Sequence, residues 1–211
     1  DIFKDTTDYV SGKIKAENKA AKLWGNCIIV RLPMIFGKND HTDRLKFVVK
    51  RLLDHKPIIL IDGGANEFQI AYAPDISRLY ESLCSVEGQP ALWLNLANPE
   101  IYTPKRFYEL CANFLDISGL SFIDMDENKI HKTSYDYWQA EPFFRERSHL
   151  LNCTKLHKIF QDVKFSERTE WLKEICLYEK KEIESNPRRN SRFSSEMESI
   201  DTYGNSSGKL V

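Results

Sequence analysis

The sequence predicts an α/β protein with a parallel sheet, and three observations carry that prediction. Short apolar runs recur at residues 27–32, 57–61 and 92–96, the first two rich in β-branched residues, as in strands buried on both faces. Between them lie segments with apolar residues at helical spacing, about 10–15 residues long, the pattern of βαβ units. Loop and turn signals come after the strands, at residues 33–40 and at Asp62-Gly63-Gly64.

Taken in order, residues 6–24 are rich in Lys, Ala and Glu and predict a helix that Gly25-Asn26 stops. Residues 27–32 form the first strand. Residues 33–40 are expected as a loop at its carboxyl end, where open α/β sheets place ligands. Residues 44–54 put Leu45, Val48, Val49, Leu52 and Leu53 on one helical face. After the strand at 57–61, residues 67–73 alternate loosely, and Pro74-Asp75 opens a helix with Ile76, Leu79, Tyr80 and Leu83 on one side. Beyond the strand at 92–96, Thr103 caps a helix with Pro104 in its first turn and Phe107, Leu110, Cys111, Phe114 and Leu115 as its stripe. Phe122-Ile123 predicts a further short strand, residues 126–147 a loop, and residues 154–160 and 166–183 two closing helices. From residue 185 the composition turns to Ser, Asn, Arg and Gly, with too little apolar surface to offset ordering. Residues 1–184 are therefore expected as the folded domain and 185–211 as a disordered tail.

The 211 residues, 42% of them hydrophobic, provide for one sizeable core plus a tail. A net charge of -1 gives no general electrostatic case for nucleic acid. Cys27, Cys84, Cys111, Cys153 and Cys176 are odd in number and never paired as Cys-x-x-Cys. That usage predicts reduced, buried thiols in a cytoplasmic protein rather than disulfides or a zinc site. No apolar run approaches the roughly 20 residues of a membrane span, and no signal peptide is visible. The five histidines lack metal-ligand spacing, and Asp124, Asp126 and Glu127 lack the glycine and spacing of a calcium loop. The sequence opens at Asp1 and runs straight into a helix, so it is expected to be the later part of a longer chain.

The first helix carries the one chemically suggestive pair. Tyr9 and Lys13, four residues apart, lie on one face one turn from each other. A neighbouring ammonium favours the phenolate form and so brings a tyrosine toward useful proton transfer with a hydroxyl or carbonyl. Any amphipathic helix carries such a pair by chance, so its weight comes from the motifs downstream of it.

Tyr9-x-x-x-Lys13-x-x-Ala16-Glu17 is succeeded by Val30-Arg31-Leu32-Pro33-Met34-Ile35-Phe36-Gly37, then by Pro57-Ile58 ahead of Asp62-Gly63-Gly64. Tyr72-Ala73-Pro74-Asp75-Ile76, Asn95-Leu96-Ala97 with the Thr103 helix, and Lys155 with the closing helix complete the series. In that order and spacing, over about residues 7–180, the chain resembles the carboxyl-terminal portion of an extended short-chain dehydrogenase/reductase, the NAD-dependent epimerase/dehydratase family. The resemblance implies a partial Rossmann-like parallel sheet with helices and a small substrate lobe. It implies an NAD- or NADP-dependent enzyme acting on a hydroxyl or carbonyl of a small-molecule substrate, nucleotide-sugars among the family's substrates. It further implies Tyr9 as general acid/base, Lys13 as its helper and ribose contact, and Pro33 in the loop that passes the nicotinamide. Family members often pair through the helix carrying the Tyr/Lys pair and its neighbour, which makes residues 6–24 and 43–54 candidates for a homodimer interface.

Three departures matter. The family's glycine-rich phosphate loop and its catalytic serine or threonine lie upstream and are not in this sequence, so the chain alone is not expected to bind NAD or NADP. Met34 stands where sugar-nucleotide members carry asparagine, and Phe68 where they carry arginine, which predicts a less polar substrate. Arg145, beside Arg147, is the candidate anion contact in their place. Finally, Pro142-Phe143-Phe144-Arg145 ahead of Lys155 resembles the chloroplast stem-loop-binding proteins, relatives of the same fold that act on RNA. That alternative makes the chain a non-catalytic binder, with Arg188, Arg189 and Arg192 on phosphates, although those proteins have largely lost the Tyr/Lys pair kept here. Tyr135, Tyr137 and Trp138 read as core aromatics.

Overall fold

The computed structural model describes residues 2–84, 90–125, 148–161, 163–186 and 209–210, with the backbone alone at 2–8, 62, 125 and 209–210. Helix α1 (Ile2–Trp24) ends at Gly25, whose φ of 64° and amide bond to the Ala21 carbonyl (3.0 Å) make the expected stop. Strand β1 (Ile28–Arg31) pairs in parallel with β5 (Leu92–Asn95), Ile28 opposite Leu92. Strand β2 (Met34–Phe36) pairs in parallel with β4 (Ile70–Tyr72), Met34 opposite Ile70. Strand β3 (Ile58–Ile61) pairs in parallel with β6 (Phe122–Met125), whose far edge takes the antiparallel β7 (Lys209–Leu210). The α/β prediction stands, as short parallel pairings rather than one unbroken ladder.

One segment differs from expectation. Residues 34–36, expected within a loop, form β2, because Phe36 drops fully into the core against Phe107 (5.8 Å between rings) while its backbone meets β4. A three-residue strand straight after a proline is too short to show alternation in sequence.

Helices α2 (Arg44–Leu53), α4 (Pro104–Phe114) and α6 (Arg168–Ser185) enclose the larger core. At its centre Phe107 stands edge-on to Tyr102 at 5.4 Å and 88°, and Phe68 stacks on Tyr102 at 5.7 Å. Leu45, Val48, Val49 and Leu52 of α2 are buried as expected, and α2 packs against α6 and α4. Thus α2, expected at a dimer interface, buries its apolar face in the chain's own core, while α1 leaves Tyr9, Val10, Ile14, Leu23 and Trp24 exposed. The Thr103 hydroxyl accepts from the Arg106 amide (3.3 Å) with Pro104 at the first helical position, the cap read from the sequence.

A second core lies between α3 (Ala73–Leu83), β5 and α5 (Thr154–Ile159), on Leu79, Leu83, Leu94, Leu96 and Leu156. Tyr80, expected on the inner side of α3, is exposed, because Ile76, Leu79 and Leu83 already fill the strip that faces the sheet. All five cysteines are free, but only Cys111 and Cys176 are buried, and Cys84 is exposed. Among the described residues no helix is long and apolar enough to cross a membrane. The expected loop at 126–147, with Arg145 and the aromatics near 137, lies outside the described residues, as does 187–208 of the expected tail.

The two cores are joined by a buried carboxylate. Asp75, 4% exposed, accepts from the Asn98 amide (2.7 Å), from the Ser166 hydroxyl (2.8 Å) and backbone amide (3.1 Å), and from the Arg78 guanidinium. Asn98, itself buried, accepts from the Tyr72 amide (2.8 Å), and its own amide donates to the Ile70 carbonyl (2.8 Å). Replacing Asp75 with alanine leaves the buried Asn98 side-chain amide without its acceptor and removes the partner of the half-buried Ser166. Asp75→Ala is therefore expected to cost about 3 kcal/mol in a urea titration, seen as a lower midpoint at unchanged slope.

Candidate functional site

The elements of the first core meet at a cleft of about 910 Å³. Its lip is Tyr9 and Val10 of α1, its floor runs from Leu32 to Gly37 with Phe68, and its far wall is formed by residues 38–42 and Arg44. Four of the residues expected at the site, Tyr9, Pro33, Met34 and Phe68, therefore converge on one space. Lys13 does not line it. Its ammonium sits 5.3 Å from the centroid of the Tyr9 ring, over the face of the phenol, one turn farther along α1.

The seating of α1 explains why Tyr9 reaches the cleft. Arg31, at the end of β1, grips Glu17 as a fork: Nε to Oε1 at 3.0 Å and Nη2 to Oε2 at 2.6 Å. The Arg31 guanidinium holds the Glu17 carboxyl below its ordinary range. Glu17 fixes the helix at the strand's carboxyl end, and Tyr9, about two turns earlier, overhangs the floor that begins at Pro33. The hydroxyl-bearing ring stays 66% exposed.

The floor is apolar. Phe68 is only 3% exposed, so its ring belongs mainly to the core and offers the cleft an edge. Its backbone pairs with Tyr102, amide to carbonyl in both directions, at 2.8 and 2.9 Å. Gln69 next to it accepts from the Leu151 amide (2.8 Å) and donates to the Asn98 carbonyl (3.3 Å), binding the floor to the Asp75 knot. At Gly37 a β-carbon would lie 2.9 Å from the Ala73 β-carbon, so only glycine lets the end of β2 pass the start of α3.

The wall is polar and is held from behind by α6. Lys38 pairs with Glu174, and the Tyr178 hydroxyl donates to Asn39 Oδ1 at 2.8 Å. Asp40 accepts from the Thr42 amide (2.9 Å) and hydroxyl (2.6 Å), and Arg44 donates to that hydroxyl oxygen (3.1 Å). Behind the wall Glu179 is 7% exposed, and burial, the largest cause, pushes its carboxyl up to about 7. Lys46 pulls the other way, while Asp43, Asp40 and Glu182 add to the rise. Sequence reasoning missed Glu174, Tyr178 and Glu179, which are distant in sequence from the wall they serve and read as ordinary polar positions of a helix.

As a cofactor site the arrangement is incomplete. The cleft has room for a ring and a reacting carbon beside Tyr9. Among the described residues, however, no glycine-rich turn leads from a strand into a helix, so these residues offer no cradle for a pyrophosphate. Nor do the described residues assemble a group of His, Cys, Asp or Glu that could hold a metal ion.

No family model and no curated protein matches the chain. Among solved structures its fold is similar to dTDP-glucose 4,6-dehydratase from Bacillus anthracis in complex with NAD, with a TM-score of 0.63 at 15% identity over 82% of this chain and 51% of that one. It is also similar to UDP-glucuronic acid 4-epimerase from Bacillus cereus in complex with NAD (TM-score 0.55, 13% identity, 73% of this chain and 44% of that one). A third is UDP-N-acetylglucosamine 4-epimerase from Bacillus cereus (TM-score 0.54, 12% identity, 77% and 50%). The chain thus spans about half the length of the structures it matches, and at these identities the likeness is one of fold: α/β and Rossmann-like.

The close pass at Gly37 gives the site its own test. Gly37→Ala must push β2 off α3, and is expected to lower stability by about 2 kcal/mol and displace the cleft floor, read by thermal unfolding and by the chemical shift of the Met34 methyl.

Proposed function

We propose that this cleft is the proton-transfer half of an NAD(P)-dependent site of the epimerase/dehydratase or reductase kind, acting on a hydroxyl or carbonyl of a small molecule. One observation carries the reading: a phenol with an ammonium one helical turn away overhangs a cleft at the carboxyl end of parallel strands, over Pro33 and Met34. In this reading Tyr9 takes the hydroxyl proton as the carbon that bears it is oxidised, and returns it on reduction. Lys13 supplies a positive charge one turn from the phenol and a hydrogen bond to the cofactor's ribose. The nicotinamide cofactor supplies hydride acceptance and donation when bound, over Pro33. Because the chain spans about half of the structures it resembles, the complete activity is proposed for a protein that joins these residues to a phosphate-binding half.

The solved neighbours act on nucleotide-sugars by their own descriptions. Here Met34 and Phe68 stand at the floor, so the substrate is proposed to be less polar at that end, with Arg145 as an anion contact. The exposed apolar residues of α1 are proposed to be covered by a second copy.

The test is turnover in the protein that carries both halves. Tyr9→Phe is expected to lower kcat about 100- to 10,000-fold with cofactor affinity retained, and Lys13→Met to lower kcat and weaken cofactor binding together. Unchanged kcat in Tyr9→Phe would remove the enzymatic reading.

A further inference from the structure

The residues of α6 that reach the cleft wall lie beside a carboxylate with no ordinary place in a helix seam. Glu179 falls in the apolar strip of α6 between Cys176 and Ile183, where α6 meets α2. Facing it are Lys46 from α2, Asp43 at the start of α2, Asp40 from the wall and Glu182 from its own helix. Glu179 is 7% exposed, and the charges of Asp43, Asp40 and Glu182 act on it in one direction while that of Lys46 acts in the other. One and five residues earlier on the same helix, Tyr178 and Glu174 hold Asn39 and Lys38. Within the wall Asn39 and Asp43 have φ of 62° and 54°, left-handed turn conformations that asparagine and aspartate adopt readily.

We propose that α6 is a proton-sensitive clamp on the 38–43 wall of the cleft, closed while Glu179 carries its proton and loosened when that proton leaves to solvent. A neutral carboxyl suits the apolar seam, whereas its ionised form adds negative charge to that of Asp40 and Asp43, with Lys46 opposing. Opening the seam hydrates the new charge, and the seam cannot open without moving Tyr178 and Glu174 away from the wall. The sign is set by the burial of Glu179. Its carboxyl rises from 4.5 toward about 7 in the closed form, so the contribution is fully present in acid and is lost as pH climbs from the lower value through the upper. That this loosening regulates catalysis rests on the cleft being the working site; the clamp itself does not.

Hydrogen exchange on the complete 211-residue chain, read by mass spectrometry and corrected for intrinsic exchange, tests the clamp without any substrate. The reporters are the amides of Thr42, Asp43 and Phe47, bonded to Asp40 Oδ1 and to the Asp40 and Asp43 carbonyls, with α3 as internal reference. Between about pH 6 and about pH 8 the opening equilibrium at these amides is expected to rise about tenfold relative to α3, and Glu179→Gln is expected to hold it flat. A wild-type profile without that rise, an equal rise in α3, or the same rise in Glu179→Gln overturns the proposal. The wild-type series decides alone if the variant does not fold. Loss of turnover in Tyr9→Phe bears on the cleft's chemistry and leaves these exchange rates where they are.

Discussion

Pro33 has no amide hydrogen to give to a ladder, and the strand that runs through it changes partner there, at the floor of the cleft. The chain from Ile28 to Phe36 travels as a strand that breaks at Leu32-Pro33. Its first half pairs with β5 and its second with β4, and no ladder runs continuously from one pair to the other. Where the ladder stops, the two partners diverge and a concave floor opens at the carboxyl edge. The break would leave the two pairs poorly joined if backbone bonds were all that held them. Asp75 and Asn98 close it with side chains: the segment after β5 crosses to β4 through Asn98, and Asp75 ties that crossing to α3 and to the approach to α6. Buried, multiply bonded groups of this kind fix a geometry as well as stabilising it.

The same frame divides the cleft into two sides of different chemistry. On the floor, Met34 and the edge of Phe68 present apolar surface. On the wall, Lys38, Asp40 and Arg44 present charge and Thr42 a hydroxyl, much of it already engaged by neighbours within the wall or on α6. Tyr9 enters from above on a helix fastened at Glu17 to the strand that the proline ends. An occupant with a reacting carbon near the phenol thus meets an apolar surface beneath it and a polar one beyond.

Much of this could be read in the sequence, and the parts that could not have a common cause. Thr103-Pro104 declares a helix start because the cap bond is local, four residues wide, and α2 shows its inner face because Leu45, Val48, Val49 and Leu52 repeat with the helix. Tyr9, Pro33, Met34 and Phe68 could be named as site residues because a resemblance supplied their register, and they do share one cleft. What stayed hidden depends on pairings remote in sequence. β2 exists because β4 lies beside it 36 positions later, and Asp75 is a hub only because Ser166 comes back to it 91 residues on. Lys46 and Glu179 each look like surface residues of an amphipathic helix until α2 and α6 are packed together. Tyr80 errs in the opposite sense, since its spacing suits the inner face but the space there is already taken.

The proposal that most needs a direct test is that a nicotinamide passes over Pro33 beneath Tyr9, beside Met34, once these residues are joined to a phosphate-binding half. The chain has three methionines, Met34, Met125 and Met197, so methyl-labelled methionine gives three resolvable signals. A titration of that joined protein with NAD, monitored by methyl NMR together with the Tyr9 ring resonances and with these three methionine signals assigned by substitution, reads the site. Concerted, saturable shifts of the Met34 methyl and the Tyr9 ring are predicted, with Met125 and Met197 unmoved. Saturable shifts confined to the other two methionines, or none at Met34 and Tyr9, would contradict the account.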